Sequence, residues 1–131
     1  MSERLTPFGT RVRQLRSQRG ITQKQMAADL GVTAAYLSAL EKGQRGMPTW
    51  TFVQRVIGYF NIIWDEAEEF QALAAISHPR IMIDTSGLSA EATMLANTLA
   101  RNIQDVDEKD LLRLRKEIES LSKSSQTGAK R

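Results

Sequence analysis

The side chains that most often perform catalysis are scarce in this 131-residue sequence, and none has a suitably spaced partner. There is no cysteine, and His78, the one histidine, precedes a proline. Ser38 has no histidine base beside it, so it is a poor nucleophile. The carboxylates between Asp65 and Glu69 lie in the first turn of a predicted helix, where the helix dipole favours them as solvated groups. We therefore expect no enzymatic activity, no metal site and no cofactor.

A second kind of chemistry, hydrogen bonding by an exposed helix, is indicated by the residues that follow Gly31. Two short helical segments are joined across Gly31–Val32–Thr33, which is the helix-turn-helix pattern. The glycine permits the left-handed backbone of a tight corner. The outer surface of the second segment has small or polar side chains: Ala34, Ala35, Tyr36, Ser38, Ala39 and Lys42. A helix with this surface can enter the major groove of B-DNA, which is about 12 Å wide.

Capping signals predict the helices that position this pair. Thr6 followed by Pro7 marks the first start, and the T-x-x-Q capping box of Thr22 marks the second. Thr33 and Thr49 cap the third and fourth helices, and a fifth is predicted from about Trp64 to Ile76. The predicted inward positions are Phe8, Val12, Leu15, Leu37, Leu40, Phe52, Val53, Val56, Ile57, Phe60, Ala67, Phe70 and Ala74. Residues 1–76 are therefore expected to form one helical domain.

Charge is distributed unevenly along the chain, whose net charge is +3. Residues 1–60 hold nine Lys and Arg against three Asp and Glu, a net charge of +6, whereas residues 61–110 have a net charge of −7. A basic first half followed by an acidic segment indicates two different roles. The basic half is suited to attract a polyanion such as nucleic acid, although a solvated basic surface gives the same count.

The stretch TQKQMAADLGVTAAYLSALEKG, residues 22–43, resembles the Xre/Cro-repressor family of helix-turn-helix regulators. The matching positions are Thr22, Gln23, Ala27, Gly31, Val32, Leu37, Ser38, Glu41 and Gly43. The resemblance covers about residues 7–74. It implies an all-α fold, in which a five-helix lambda-repressor-like DNA-binding domain is followed by a small, mainly helical C-terminal segment.

The resemblance also implies roles for individual residues. Gln23 is expected to bind a DNA phosphate, and Arg16 and Glu41 to form a structural ion pair that fixes the angle of the recognition helix, residues 34–42. The expected DNA-binding residues are Gln23, Thr33, Ala34, Ala35, Tyr36, Ser38, Ala39, Lys42, Gln44 and Arg45. The alanines depart from the family pattern, because they offer only contact with thymine methyl groups. We therefore expect DNA shape to contribute a larger share of the sequence specificity.

The remaining residues are predicted to form a separate segment. Residues 77–88 are a linker or a short strand over 80–84, residues 89–122 are helical, and residues 123–131 are a disordered tail. The sixth helix is expected from Ser89 to about Val106, and Asp107 caps a seventh. Leu111, Leu114, Ile118 and Leu121 follow a coiled-coil spacing, which indicates either a dimerisation helix or a helix packed on its own domain.

These observations predict a homodimeric, sequence-specific DNA-binding transcriptional regulator, more often a repressor, that reads a near-palindromic operator. The alternative is an antitoxin or partner-binding protein, whose C-terminal segment masks another protein while the helix-turn-helix autoregulates. The expected partners are double-stranded DNA, a second copy of the chain and, in the alternative, another protein. No apolar run approaches the 18 to 20 or so residues of a membrane span, so we expect a cytoplasmic, nucleoid-associated protein.

Overall fold

The computed structural model describes residues 4–46 and 48–128. It is all-α, and the part of the chain that it describes contains no strand. These residues divide into two compact units between Ile81 and Met82. The helices are α1 Pro7–Arg19, α2 Gln23–Leu30, α3 Ala34–Glu41, α4 Trp50–Phe60, α5 Trp64–Ala75, α6 Ala90–Asn102 and α7 Glu108–Gly128, with a 3-10 turn at Ile103–Asp105. The predicted all-α fold class is confirmed.

Threonine side chains begin the first four helices. Each hydroxyl accepts a hydrogen bond from the backbone N–H three residues later, and so satisfies a donor that has no partner within the helix. The pairs are Thr6 with Gly9 at 3.0 Å, Thr22 with Gln25 at 3.0 Å, Thr33 with Tyr36 at 2.9 Å and Thr49 with Phe52 at 3.1 Å. The four predicted helix starts are therefore confirmed.

The turn between α2 and α3 depends on a left-handed glycine. Gly31 has a φ of +74°, which a residue with a β-carbon adopts only with strain. The N–H of Val32 donates to the Ala27 carbonyl at 2.9 Å, which closes the end of α2. Thr33 then caps α3 at once, so only three residues separate the two helices.

The core of the first unit is aliphatic and aromatic and receives side chains from all five helices. Its fully buried members include Phe8, Met26, Leu37, Val56 and Phe60. The Phe8 ring also packs against Phe70 of α5, with centroids 5.1 Å apart. Burying a side chain of this size contributes about 1.5–3 kcal/mol, so α3 is held firmly by its inner face. Among the predicted inward positions, Ile57 and Ala67 are only half-buried.

The second unit consists of α6, the 3-10 turn and α7. Ser89 and Asp107 cap the helices, because they accept hydrogen bonds from the N–H groups of Ala92 at 3.2 Å and Asp110 at 2.9 Å. None of the side chains described from 82 to 125 is buried. A unit without a core of its own presents its apolar side chains to whatever surrounds it.

Two predicted boundaries differ from the structure, and one open alternative is decided by it. The first unit continues past 76 to Ile81, because Ser77 packs back onto α1. Of the two alternatives for residues 80–84, the structure has an extended linker without a strand. The sixth helix ends at Asn102 and continues as a 3-10 turn instead of running to about Val106.

The end of the chain also differs from the prediction. Helix α7 continues to Gly128, so residues 123–128 of the predicted disordered tail are helical, and residues 129–131 lie outside the described part. No proline or glycine interrupts the segment before Gly128, and extending a helix that has already formed costs little. None of the helices described is long and apolar enough to cross a membrane.

Candidate nucleic-acid interface

Helix α3 buries its two leucines and leaves small or polar side chains outside. Leu37 and Leu40 are buried, whereas Thr33 and Ala35 are exposed. The other side chains of the predicted interface on this helix and at its end are half-buried: Ala34, Tyr36, Ser38, Ala39 and Lys42. The structure therefore brings the predicted residues of 33–42 onto one short helix and its two ends.

Behind this helix lies a buried ion pair. Arg16 of α1 donates from Nη1 to Oε2 of Glu41, and its Nη2 lies 3.3 Å from Oε1, which makes a two-point contact. Arg16 is 5% exposed and Glu41 is inaccessible to solvent. The Arg16 Nη1 also lies 3.8 Å from the Met26 sulfur. A guanidinium fork on a carboxylate fixes both distance and orientation, so the end of α3 is tied to α1.

Gln23, the predicted phosphate ligand, takes part in the same cluster. Its Nε2 donates to Glu41 Oε1 at 3.2 Å, so the side chain leans from the first residue of α2 towards the end of α3. The carboxylate of Glu41 thus joins three helices through Arg16 and Gln23.

The side chain of Tyr36 is fixed from two sides. Its ring packs edge-on against Phe52 of α4, with centroids 6.2 Å apart and an interplanar angle of 79°. The Arg45 guanidinium carbon lies 5.2 Å from the centre of the Tyr36 ring, in a cation–π arrangement. With Thr33 and Thr49 these residues line an open groove between α3 and the start of α4. Arg45 is thereby presented beside the exposed face of α3.

The loop after α3 carries the last two predicted contacts, Gln44 and Arg45, and both are exposed. The N–H of Gln44 donates to the Ala39 carbonyl at 2.9 Å, and that of Gly46 donates to the Gly43 carbonyl at 3.0 Å. The loop is therefore a hydrogen-bonded continuation of α3, and its two polar side chains belong to the same surface.

The predicted dimerisation residues lie on α7 in the second unit. Leu111 is half-buried, and the exposed fraction rises along the helix from 42% at Leu114 to 62% at Leu121, with Ile118 between them. Apolar side chains exposed in a row at this spacing form a seam without a partner in the structure described.

The other candidates for chemistry stay apart. Among the residues described, no group of three or more His, Cys, Asp or Glu side chains could hold a metal ion. The carboxylates from Asp65 to Glu69 are exposed on α5, as is His78 after its end. Trp50, the first residue of α4, is 72% exposed.

Sequence reasoning missed the contacts that tie these elements together. The Gln23–Glu41 hydrogen bond spans 18 residues, and the Arg45–Tyr36 stacking joins a loop to a helix. Neither has a local pattern, because such contacts depend on how whole helices pack. The only signal was the resemblance that paired Arg16 with Glu41.

Comparison with known proteins agrees with this geometry. The uncharacterized HTH-type transcriptional regulator RghRB of Bacillus subtilis (strain 168) is 30% identical over 61 residues, which cover 47% of this chain and 44% of that protein. The HTH-type transcriptional repressor RghR of the same organism is 46% identical over 41 residues, 31% of this chain and 30% of that protein. The chain thus matches less than half the length of these relatives. No solved structure matches it significantly.

The family comparison covers the helices that hold the candidate interface. Residues 7–69 match the family described as "Helix-turn-helix domain". This range contains α2, the Gly31 turn, α3 and the buried Arg16–Glu41 pair. This part of the chain is therefore similar to helix-turn-helix domains.

Proposed function

We propose that this protein is a sequence-specific DNA-binding transcriptional regulator that reads DNA through α3. The observation that carries the proposal is the outer surface of α3, whose side chains are small or polar, while its inner face and its end are fixed by the core and by Glu41. The two relatives that match part of this chain are named as a transcriptional regulator and a transcriptional repressor. A rigid helix with such a surface fits a major groove.

Electrostatics supports the same choice of ligand. Residues 1–60, which contain α3, have a net charge of +6, and the whole first unit, residues 1–81, remains basic with a net charge of +3. Phosphate contacts by Lys and Arg supply most non-specific affinity for DNA, and they set the register of the protein on the duplex. Lys42 at the end of α3 and Arg45 in the following loop are the cations that we propose to bind phosphates or base edges. Gln23 adds a neutral contact at the start of α2.

The composition of α3 indicates how sequence is read. Ala34, Ala35 and Ala39 allow close approach and contact with thymine methyl groups. Polar readout then falls to Ser38, Tyr36, Lys42, Gln44 and Arg45, of which Tyr36 and Arg45 hold each other in place. With few bidentate donors, a substantial part of the specificity comes from the shape and deformability of the operator.

We further propose that the functional form is a homodimer and that it acts as a repressor. One of the relatives, RghR, is named as a transcriptional repressor. A single recognition helix reads few base pairs, whereas a two-fold dimer reads two half-sites about one helical turn apart. The exposed seam of Leu111, Leu114, Ile118 and Leu121 is the proposed contact between the two copies. Occupation of a near-palindromic operator would then block a promoter.

Selection of bound duplexes from a random DNA pool tests this proposal. The full chain and its Leu114→Glu variant are compared at physiological salt. We expect a two-fold symmetric motif for the full chain and a half-site, or no motif, for the variant. A full chain that enriches no motif contradicts the proposal. It would favour the partner-binding alternative, in which the seam on α7 covers another protein.

A further inference from the structure

A short segment after α5 packs against the loop that carries Gln44 and Arg45. We call residues Ser77–His78–Pro79 the strap, and residues Gly43–Gln44–Arg45–Gly46 the reading loop. The strap lies beyond residue 69, where the family match ends, but within the first compact unit. Its contacts are therefore a property of this chain and are not part of the matched helix-turn-helix region.

The strap is anchored at its first residue. Ser77 is 3% exposed, and its Oγ accepts a hydrogen bond from the Phe8 N–H at 2.9 Å while it donates to the Leu73 carbonyl. The Phe8 N–H belongs to the first turn of α1 and has no partner within that helix. Ser77 thus fixes the strap at the start of α1. The Arg80 N–H donates to His78 Nδ1 at 3.1 Å, which holds the far end in a turn.

From this anchor the strap reaches both ends of the reading loop. Gly43 has a φ of +78°, and a β-carbon there would lie 2.9 Å from Pro79 Cγ and 2.8 Å from Thr6 Cγ2. The backbone of Gly43 is therefore enclosed between the cap of α1 and the Pro79 ring. At the other end, a β-carbon on Gly46 would lie 4.0 Å from the His78 imidazole, which is van der Waals distance.

The reading loop in turn positions the side chains of the proposed interface. Gly43 and Gly46 flank Gln44 and Arg45, and the Arg45 guanidinium stacks on Tyr36 of α3. A displacement at Gly43 therefore moves Arg45 relative to α3. Sites that are loose by about 1 Å commonly lose function although every residue is present.

We propose that the strap is a specificity-determining element of the DNA interface, in which Pro79 acts as a positioning residue that sets the reading loop and, through it, Arg45. The proposal rests on the proposed DNA-binding function. Pro79 itself is exposed apart from its contact with the loop, so its loss should affect the position of the loop more than the stability of the fold.

The test compares Pro79→Ala with Ile81→Ala, a control change of an exposed residue two positions beyond the strap. Affinities of the full-length proteins are measured for a duplex selected from the random pool and for a random duplex. We expect Pro79→Ala to weaken binding to the selected duplex roughly fivefold to tenfold, which is the scale of one base contact, and to weaken random binding less than about twofold. Ile81→Ala should leave both affinities unchanged.

A double-variant cycle separates positioning from a general loss of structure. If Pro79 acts through Arg45, adding Pro79→Ala to Arg45→Ala should cause no further loss of affinity for the selected duplex. If the two losses add instead, the role assigned to Pro79 is wrong. Selective binding by Pro79→Ala equal to that of the unaltered protein would also overturn the proposal.

Amide hydrogen exchange gives a readout that does not depend on DNA. In Pro79→Ala the amides of Gln44 and Gly46, which donate to Ala39 and Gly43, should exchange faster, while amides in α5 keep their rates. If the unaltered protein shows no selective DNA binding, the proposed function fails, and this measurement alone decides whether the strap holds the loop. Unchanged exchange at Gln44 and Gly46 would overturn the strap as a positioning element.

Discussion

Replacing Glu41 with alanine should destabilise the first unit by about 3–5 kcal/mol, because it leaves the Arg16 guanidinium buried without its counter-ion. The side chains of Arg16 and Glu41 are only 6% and 1% accessible, so water cannot take the place of the missing carboxylate. The Gln23 amide loses its acceptor at the same time, but Gln23 is half-buried and can turn towards solvent. The main cost is therefore the isolated charge.

The free-energy cost of the isolated charge can be measured separately from the contribution that the two side chains make by packing. Arg16→Met should cost a similar amount, since the buried Glu41 carboxylate then keeps only the neutral Gln23 amide as a partner. The double variant Arg16→Met/Glu41→Leu removes both charges and keeps apolar volume, so it should lie within about 1 kcal/mol of the unaltered protein. The predicted coupling free energy between the two sites is therefore larger than the change in stability of the double variant. It is also larger than the coupling free energy of a typical pair of contacting residues.

Urea unfolding of the full chain, followed by circular dichroism at constant pH and salt, measures all four proteins. A domain of this size has a total stability of about 5–15 kcal/mol, so each single variant should lose a large fraction of it. A loss below about 1 kcal/mol for Glu41→Ala would refute the reasoning, as would single losses that simply add in the double variant. DNA selectivity of the double variant then shows what the pair contributes to the angle of α3.

Three further predictions follow from single contacts. Gln23→Ala should weaken binding to selected and random duplexes by the same factor without changing its salt dependence, because a neutral amide releases no counterion. Lys42→Ala should instead lower the slope of binding against salt concentration by about one. A loss of affinity in Gln23→Ala that depends on the DNA sequence would contradict this assignment. Leu114→Glu should give monomers in sedimentation experiments and at least tenfold weaker operator binding, and a surviving dimer would exclude the seam. Burial and a hydrogen bond to Asp29 raise the pKa of Tyr59 to about 12 from 10.0, so the stability that this proton contributes is present below about pH 10 and lost as the pH rises through 12. In Tyr59→Phe, urea midpoints at about pH 9 and about pH 11.5 should differ less than in the unaltered protein, and an equal difference would contradict the assignment.

Much of the first unit could be predicted because its signals are local. A threonine cap acts on an N–H three residues away, and the apolar positions of α1 and α4 recur at helical spacing, so both can be read from adjacent residues. The buried Arg16–Glu41 pair came from the resemblance to a known family. Its environment of Gln23 and Met26 was not predicted, because it arises only when three helices pack together.

The misjudged features are those that depend on distant residues or on weak local preferences. The Phe8–Ser77 hydrogen bond spans 69 residues, and nothing near Ser77 in the sequence indicates it. The end of the first unit was therefore placed too early. In the second unit, apolar spacing predicted α6 and α7, but without a buried core it did not determine where α6 gives way to a 3-10 turn or where α7 ends.

The central claim, that the outer face of α3 contacts DNA, is tested most directly by placing a carboxylate on that face. Ala35→Glu on α3 is compared with Ala72→Glu on α5, a matched change at another exposed helical alanine. Binding of both full-length variants to the selected duplex is measured by titration, after thermal unfolding has shown comparable stability. We predict that Ala35→Glu loses at least tenfold in affinity by repulsion and by obstruction in the groove, while Ala72→Glu loses less than about twofold. Equal affinities of the two variants would contradict the claim that α3 is the DNA-reading helix.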